Sequence, residues 1–351
     1  MPKIIETQII DLEFKISQKE VMNFTSQYFE NSYITFEMIQ SVFDNTGIKT
    51  RQFISSREWF DKNHDFLEKN NLYVKKALEV SSNLINKYQD LNYSKIDNII
   101  FVSSTGLSTP SVDALLINKL KINSNITRTP IWGLGCVGGA VGLSKAFEYC
   151  LAFPQKLTLL ICLEFCSLAF LYKEHSKSNF IAMALFSDGA ASALISGNNN
   201  RNNMKGGIKI LKTHSTLYYD SVGVMGWEFV ESGLKAIFSK DIPNIIKNKV
   251  SKEIKMFLKT NNLKTSDIKH YLLHPGGSKI IEEFKSSLNL NGSSTRHTKK
   301  VLENYGNMSS PTVIYVINEF LNSGEYEKGD LGLIASLGPG FSSEVLLFQI
   351  Q

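Results

Sequence analysis

The sequence predicts an α/β protein with a parallel or mixed sheet covered by helices on both faces, laid out as two successive halves of similar βα character. Two observations carry this. From about residue 98, short continuous apolar runs alternate with segments whose apolar residues recur every three to four positions. Buried strands interleaved with helices are the pattern of such a sheet. The same rhythm then restarts after SGNNNRNNMKGG, residues 196–207, a polar and glycine-bearing stretch that reads as a linker. The halves are therefore drawn at 1–205 and 206–351, although no residue-level repeat links them.

Taken in order, residues 18–45 and 56–90 read as helices with few breakers. IDNIIFVSSTG is a short buried strand, PSVDALLINKL a helix, TPIWGLG a strand, VGGAVGLSKAFEYCLA a helix and KLTLLICLE a strand. MALFSDGAASALISG reads as a pair of strands around a turn. After the linker come GIKILKTHS as a strand, DIPNIIKNKVSKEIKMFLKTNN as a long helix, IKHYLLH as a strand, and SKIIEEFKSSL and PTVIYVINEFLNSG as helices. LGLIASLGPGFSSEVLLFQI closes the chain as two strands about a turn.

A chain of 351 residues, 43% hydrophobic and 20% charged, has the material for one large domain or two fused lobes. The net charge of +5 is spread along the chain instead of forming a basic arm, which fits anionic small molecules better than nucleic acid. No run of 18 apolar residues predicts membrane insertion, and MPKIIETQIIDLEF lacks a signal-peptide layout, so a cytoplasmic protein is expected. The spacings of Cys136, Cys150, Cys162 and Cys166 match neither a zinc pair nor a redox C-x-x-C, so free thiols and no metal are expected.

GLGCVGG, residues 133–139, admits two readings. Gly133, Gly135 and Gly138 spell G-x-G-x-x-G, a dinucleotide cradle, with Glu164 after the next strand as the ribose-binding acid. Against this, more than a hundred residues precede the motif, and a cysteine among the glycines does nothing for pyrophosphate. In the second reading Cys136 is a nucleophile at a helix N-terminus, where the dipole and free N–H groups favour thiolate. The glycines then allow a sharp turn and close approach of substrate. A nucleophilic cysteine needs a partner brought near in space. His274 ends an apolar strand before Pro275-Gly276-Gly277, and Asn307 lies in a glycine-flanked turn ahead of a helix in YGNMSSPTV.

GLGCVGG, LLHPGG, YGNMSSPTV, GPGFSSEVLL and ALFSDGAASALI resemble, in order, the motifs of type III polyketide synthases, the chalcone-synthase-like branch of the thiolase superfamily. The resemblance runs from about residue 98 to the end and is fainter before it. It implies a five-layer αβαβα thiolase-like fold, a homodimer, and iterative decarboxylative condensation of malonyl-CoA onto a starter acyl group, without metal or redox cofactor. It also implies that Cys136 carries the acyl chain, held as thiolate by pairing with His274, and that His274 and Asn307 stabilise the malonyl enolate. Substrate-binding residues carried over are Phe186 as gatekeeper, with Ser104, Cys166, Ala169, Trp227 and Ser309.

The departures shape the expected substrate. The family's basic CoA-contact positions fall on Met38, Ser41 and Asn45, so Lys49, Arg51, Gly277 and Lys279 are the substitute CoA-binding candidates, and a carrier-protein donor becomes admissible. Small or apolar residues at Cys166, Ala169 and Ala236 suit an aliphatic starter, and MGWEF, which carries Trp227, resembles microbial members that make alkylpyrones or alkylresorcinols, which implies a pyrone or resorcinol product. The alternative implied by the shared Cys-His-Asn set is a single condensation of the β-ketoacyl carrier-protein synthase III type.

Overall fold

The computed structural model describes residues 1–29, 33–172, 174–200 and 207–351. The chain opens on β1 (Lys3–Ile10), a strand left unassigned from sequence, then β2 (Phe14–Ser17), α1 (Gln18–Tyr28), α2 (Phe36–Asp44) and β3 (Thr50–Phe53), which pairs antiparallel with β2. The helix predicted over 18–45 is thus two. Thr35 restarts the chain as the N-cap of α2, its hydroxyl accepting from Met38 N–H, because a capping side chain offers backbone donors a partner outside a continuous helix. The helix predicted over 56–90 likewise divides into α3 (Arg57–Phe60) and α4 (Phe66–Ile85), where Asp65 and Glu68 form a capping box.

β4 (Asn98–Val102), α5 (Val112–Leu120), β5 (Thr127–Ile131), α6 (Gly138–Ala152) and β6 (Leu157–Phe165) follow in the predicted order. MALFSDGAASALISG corrects the expectation: it is the end of helix α7 (Lys177–Leu185) and the single strand β7 (Asp188–Ser196). Asp188 is no turn residue, since its carboxylate accepts from Ile54 N–H at 2.7 Å and Ser167 N–H at 2.7 Å. Of the predicted linker, Ser196 closes β7, and residues 201–206, with the boundary drawn between the halves, lie outside the described residues.

The second half contains β8 (Ile208–Leu217), the hairpin β9 (Met225–Val230) and β10 (Gly233–Phe238), α8 (Ile242–Ile245) running through a π turn into α9 (Ser251–Thr260), and β11 (His270–Leu273). It ends with α10 (Ser278–Leu288), α11 (Arg296–Tyr305), α12 (Thr312–Ser323), β12 (Leu331–Gly338) and β13 (Ser342–Ile350). The hairpin and α11 were not predicted. In α11, RHTKKVLENY, the buried stripe is His297, Thr298, Val301 and Leu302, and because half of it is polar it does not read as an apolar pattern.

Nine strands form one sheet in the order β11-β12-β13-β8-β1-β7-β6-β4-β5. The duplication absent from the residues is present in the topology. β4 and β6 are parallel, β6 and β7 antiparallel, and β7 and β1 antiparallel; β11, β12, β13 and β8 repeat those relations in the same sequence. β1 and β8 join the two sets through two residue pairs.

Three apolar cores hold the five layers together, the central one filling the space on both sides of the middle helices. α4 and α5 cover one face of the first set of strands through a core that includes Tyr73, Leu84, Leu116, Ile161 and Leu194. The segment from α8 to α9 and α10 cover the second set through Ile246, Ile254, Phe284, Leu333 and Leu347. Between the sets, α6 and α12 share a core with strands of both, including Ala140, Leu160, Ile314, Ile334 and Leu346. This is the predicted αβαβα arrangement. It places the N-termini of the two central helices beside each other, and the loop before each carries chemistry.

Candidate active site

Cys136 lies on a short 3-10 turn, Gly135–Val137, that runs directly into α6. Gly135 has φ +48° and its Cα faces Pro339, a conformation and a space that exclude a side chain. Gly139 does a different job: a Cβ there would lie 2.2 Å from the Ser310 carbonyl oxygen, so the loop ahead of α12 can touch α6 only because this position is glycine. The glycines therefore pack protein against protein. Glu164, the ribose-binding candidate of the cradle reading, is fully buried and accepts from Ser104 N–H, Thr105 Oγ1 and Ser310 Oγ, each at 2.9 Å. Burial pushes its carboxyl up to about 7.

The loop packed on Gly139 carries Asn307. Its backbone N–H donates to Leu185 O at 3.1 Å, and Ser187 N–H donates to its carbonyl at 2.9 Å, which pins it between α7 and β7. Its Oδ1 accepts from Ser309 N–H at 2.9 Å and lies 3.9 Å from Cys136 Sγ. The Ser309 amide requires an acceptor, so the side-chain amide is oriented with Oδ1 toward it and Nδ2 available as a donor. Ser309 itself sits at φ +60° and its hydroxyl reaches the Cys136 thiol.

His274 follows β11, where its N–H donates to Ala335 O at 2.8 Å. It is 5% exposed, and neither ring nitrogen has a hydrogen-bond partner among the described residues. Cys136, His274 and Asn307 line one cavity of about 690 Å³, whose wall also includes Leu185, Phe238, Gly277 and Leu337. The pairing of Cys136 with His274 implied by the resemblance is not present as a hydrogen bond. Burial pushes the thiol up to about 11, opposed by the Ser309 and Asn307 contacts, and pushes the imidazole down to about 3. Both displacements favour the neutral forms, because a low-dielectric surrounding disfavours charge on either group.

Phe186, at the C-terminus of α7, packs against Trp227 at 5.6 Å and Phe238 at 5.5 Å between ring centroids. It also lines a second cavity of about 450 Å³ together with Cys166, Ala169, Phe170 and residues of β2, α1, β3 and α3. Ala236 pairs with Trp227 across the β9–β10 hairpin. Ser104 is drawn elsewhere: its Oγ accepts from Gly133 N–H at 3.2 Å and Gly135 N–H at 3.1 Å, so it braces the turn that presents Cys136.

Two of the CoA-binding candidates do not reach the cavity. Lys49 is exposed and paired with Glu303 at 3.2 Å. Arg51 is fully buried between the rings of Phe43 and Phe53, and its Nη1 donates to Met183 O at 2.5 Å and Phe186 O at 2.8 Å. A basic letter near the right motif thus became a clamp on the segment that carries Phe186. Gly277 and Lys279 do line the cavity, joined by Lys177 and Lys240, which sequence reasoning missed because isolated lysines on short connections carry no pattern. All four cysteines are free and buried. Among the described residues no helix is long and apolar enough to cross a membrane.

The comparisons agree with this geometry. The family described as chalcone and stilbene synthases matches over residues 16–199 for its N-terminal domain and 209–350 for its C-terminal domain. A putative chalcone synthase of Bacillus subtilis is 40% identical over 346 residues, covering 95% of each chain. The 1,3,6,8-tetrahydroxynaphthalene synthase of Streptomyces coelicolor is 29% identical over 310 residues, 87% of this chain and 80% of that one. The crystal structure of the Streptomyces coelicolor enzyme, a bacterial type III polyketide synthase, superposes with a TM-score of 0.94 at 25% identity over 99% of both chains. PKS-I of the brown alga Ectocarpus siliculosus gives 0.89 at 26% identity over 99% and 98%. With both family domains matched along nearly its whole length on a thiolase-like fold, the chain belongs to the chalcone and stilbene synthase family and is an acyltransferase of the type III polyketide synthase class.

Proposed function

We propose that the protein condenses malonyl-CoA iteratively onto an aliphatic starter held on Cys136 and releases a pyrone or resorcinol-type product. The observation that carries this is the convergence of Cys136, His274 and Asn307 on one cavity wall from the two halves of the fold. A proton passing from the buried thiol to the buried imidazole leaves the net charge unchanged, and the mutual attraction of thiolate and imidazolium offsets the cost of charging each alone. Sγ attacks the acyl thioester carbonyl and the carrier thiol leaves with the proton. Malonyl thioester then loses its carboxylate as carbon dioxide. The electron pair of the broken C–C bond forms an enolate, whose oxygen accepts from His274 and Asn307 Nδ2, a preorganised oxyanion site. The enolate carbon attacks the Cys136 thioester and expels the thiolate. Decarboxylation supplies the carbanion, so the chemistry calls for neither metal nor redox cofactor.

The aliphatic starter is supported by the second cavity. Beyond Phe186, Cys166 and Ala169 it is lined by Phe14, Ile16, Val21, Phe24, Phe53 and Phe60, with charged residues of both signs such as Glu20 and Arg57 also on its wall, and its volume of about 450 Å³ lies within the ordinary range for small-molecule sites. Trp227 packs against Phe186, which lines this cavity. A cytoplasmic homodimer completes the reading. β5 is an edge strand with exposed residues, and Leu107, Trp132 and Phe229 are exposed nearby, with Trp132 and Phe229 5.8 Å apart between centroids. Light scattering giving a monomer would remove the dimer.

The test is intact-protein mass spectrometry of wild type and Cys136→Ala after mixing with malonyl-CoA and octanoyl-, palmitoyl- or coumaroyl-CoA, followed by product analysis. Acyl mass on wild type alone, with pyrones or resorcinols from the aliphatic starters, is the expected result. Preferred use of coumaroyl-CoA overturns the aliphatic assignment, and products of one extension only overturn the iterative one.

A further inference from the structure

The mouth of the catalytic cavity is framed by α2, α7, the connection from β10 to α8, and α10, and Ile242 and Pro243 in the first turn of α8 belong to its lining. From there the helix runs on through the π turn to the end of α9, residues 242–260, a length of about 28 Å at 1.5 Å per residue. Its inward face, Ile246, Val250, Ile254, Phe257 and Leu258, is buried in the core of the second half. Its outward face carries Lys247, Lys249, Lys252, Lys255 and Lys259, every one of them exposed. Lys252, Lys255, Met256 and Lys259 follow the spacing that places side chains in one stripe, and Met256 is 56% exposed. Glu253, the one acid on the helix, turns its carboxylate toward His214 at 3.8 Å. Five lysines and one glutamate leave this helix a surplus of four positive charges, against +5 for all 351 residues. In the sequence these lysines alternate with apolar residues and form no arm. The helical period sorts the two kinds, so charge that reads as spread along the chain gathers on one ridge.

We propose that this ridge docks the protein on an anionic lipid surface, with the mouth of the catalytic cavity beside the contact. The choice of a lipid rests on the reading above, that starters and products are alkyl chains, which leave water for a membrane. The composition of the ridge agrees with it. A face of four to eight basic residues is drawn to anionic headgroups, whereas this ridge has neither the arginine forks nor the exposed aromatic rings with which proteins grip nucleic acid. Because the apolar face of the helix is enclosed in the core, the ridge lies on the headgroups without inserting, and the contact is electrostatic and sensitive to salt. α2, which lines the same cavity, exposes Phe36 and Met38, and Met38 stands one turn from the lining residues Ser41 and Val42. The opening is thus bordered by apolar side chains as well as by the basic ridge, and an alkyl chain can pass between membrane and cavity without crossing bulk water.

Cosedimentation of the full chain with phosphatidylcholine vesicles, with and without phosphatidylglycerol, tests this for wild type, the triple variant Lys252→Gln, Lys255→Gln, Lys259→Gln, and the same three positions changed to Arg. Wild type is expected to sediment with the phosphatidylglycerol vesicles and to be released as salt rises. Each lysine near such a surface contributes about five-fold to partitioning, so the Gln variant should bind on the order of 100-fold more weakly while the Arg variant binds as wild type does. None of the three lysines lines the cavity, so turnover of octanoyl-CoA without vesicles should be the same for all three proteins. Failure of wild type to bind the phosphatidylglycerol vesicles overturns the proposal, as does undiminished binding by the Gln variant or equal binding to phosphatidylcholine alone. Wild type that ignores the vesicles but binds acyl-carrier protein through the same lysines assigns the ridge to an acidic protein and also overturns the lipid. Sedimentation needs no turnover: a protein that binds vesicles yet forms no acyl-enzyme keeps the ridge and loses the function proposed above, and one that makes alkyl products without binding vesicles loses only the ridge.

Discussion

Gly139→Ala is the substitution whose consequence follows most directly from the geometry. Its Cβ would lie 2.2 Å from the Ser310 carbonyl oxygen and 2.7 Å from Val313 Cγ1, so a backbone atom has to retreat by about an ångström before ordinary contact is restored. Overpacking of that kind costs about 1–3 kcal/mol, and replacing a helical glycine by alanine returns at most about 1 kcal/mol. At roughly 2–4 °C per kcal/mol for a large domain, Tm should fall by a few degrees. The effect on activity is larger, because the retreating loop carries Asn307 and Ser309; misplacing a catalytic group by about 1 Å can cost on the order of 100-fold in rate. Gly142→Ala, one turn further along α6, is the control. Its Cβ meets Leu160 Cδ1 at 2.6 Å and Val102 Cγ2 at 3.2 Å, side-chain atoms in the core and not the loop that carries Asn307, so Tm should fall as it does for Gly139→Ala while kcat stays within about 2-fold of wild type. Differential scanning fluorimetry and steady-state product formation read both variants. If Gly139→Ala keeps its kcat, or if Gly142→Ala loses as much, close approach of the two central helices is not what positions Asn307.

Ala169→Phe should fill part of the second cavity, lowering kcat/KM for palmitoyl-CoA on the order of 10-fold while sparing acetyl-CoA; equal losses for both starters would place the alkyl chain elsewhere. Asn307→Asp keeps the acceptor for Ser309 N–H and removes the Nδ2 donor, so malonyl decarboxylation should fall about 100- to 1,000-fold with acylation of Cys136 still visible by mass spectrometry. Glu164 and Asp188, raised by burial to about 7 from 4.5 and 3.8, hold protons in the folded state that the unfolded chain releases. Folded protein therefore binds more protons between about pH 4 and 7, and stability should fall as pH rises through that window and level off above it. Glu164→Gln should make the decline of Tm between about pH 4 and 7 shallower, and an unchanged slope would contradict the assignment.

The sequence was most informative where chemistry constrains several neighbours together. Cys136 among glycines, His274 at the end of an apolar strand and Asn307 before a helix were each readable, and the fold brings them to one cavity. The order of strands and helices after residue 98 was readable for the same reason, since buried strands leave continuous apolar runs. What was not legible depends on distant partners. β1 became a central strand only because β7 and β8 flank it. Arg51 looked like a surface cation until Phe43 and Phe53 enclosed it, and Ser104 looked like a pocket wall until the Gly133 and Gly135 amides claimed its hydroxyl. Lys177, Lys240 and Lys279 come to one cavity from three separate stretches of the chain.

The two central helices give the catalytic centre an uneven mechanical character. The segments bearing Cys136 and Asn307 lead into the most deeply buried elements of the molecule, so they can separate only when both sets of strands come apart. Their amides should exchange hydrogen on the timescale of global unfolding. The mouth, by contrast, is assembled from a 9-residue α2, a 9-residue α7 and a short connection with exposed side chains, none of them part of that inner core. Long substrates can thus be admitted and products released by local opening of the rim while the reacting groups stay in register, a rigid floor beneath a pliable entrance.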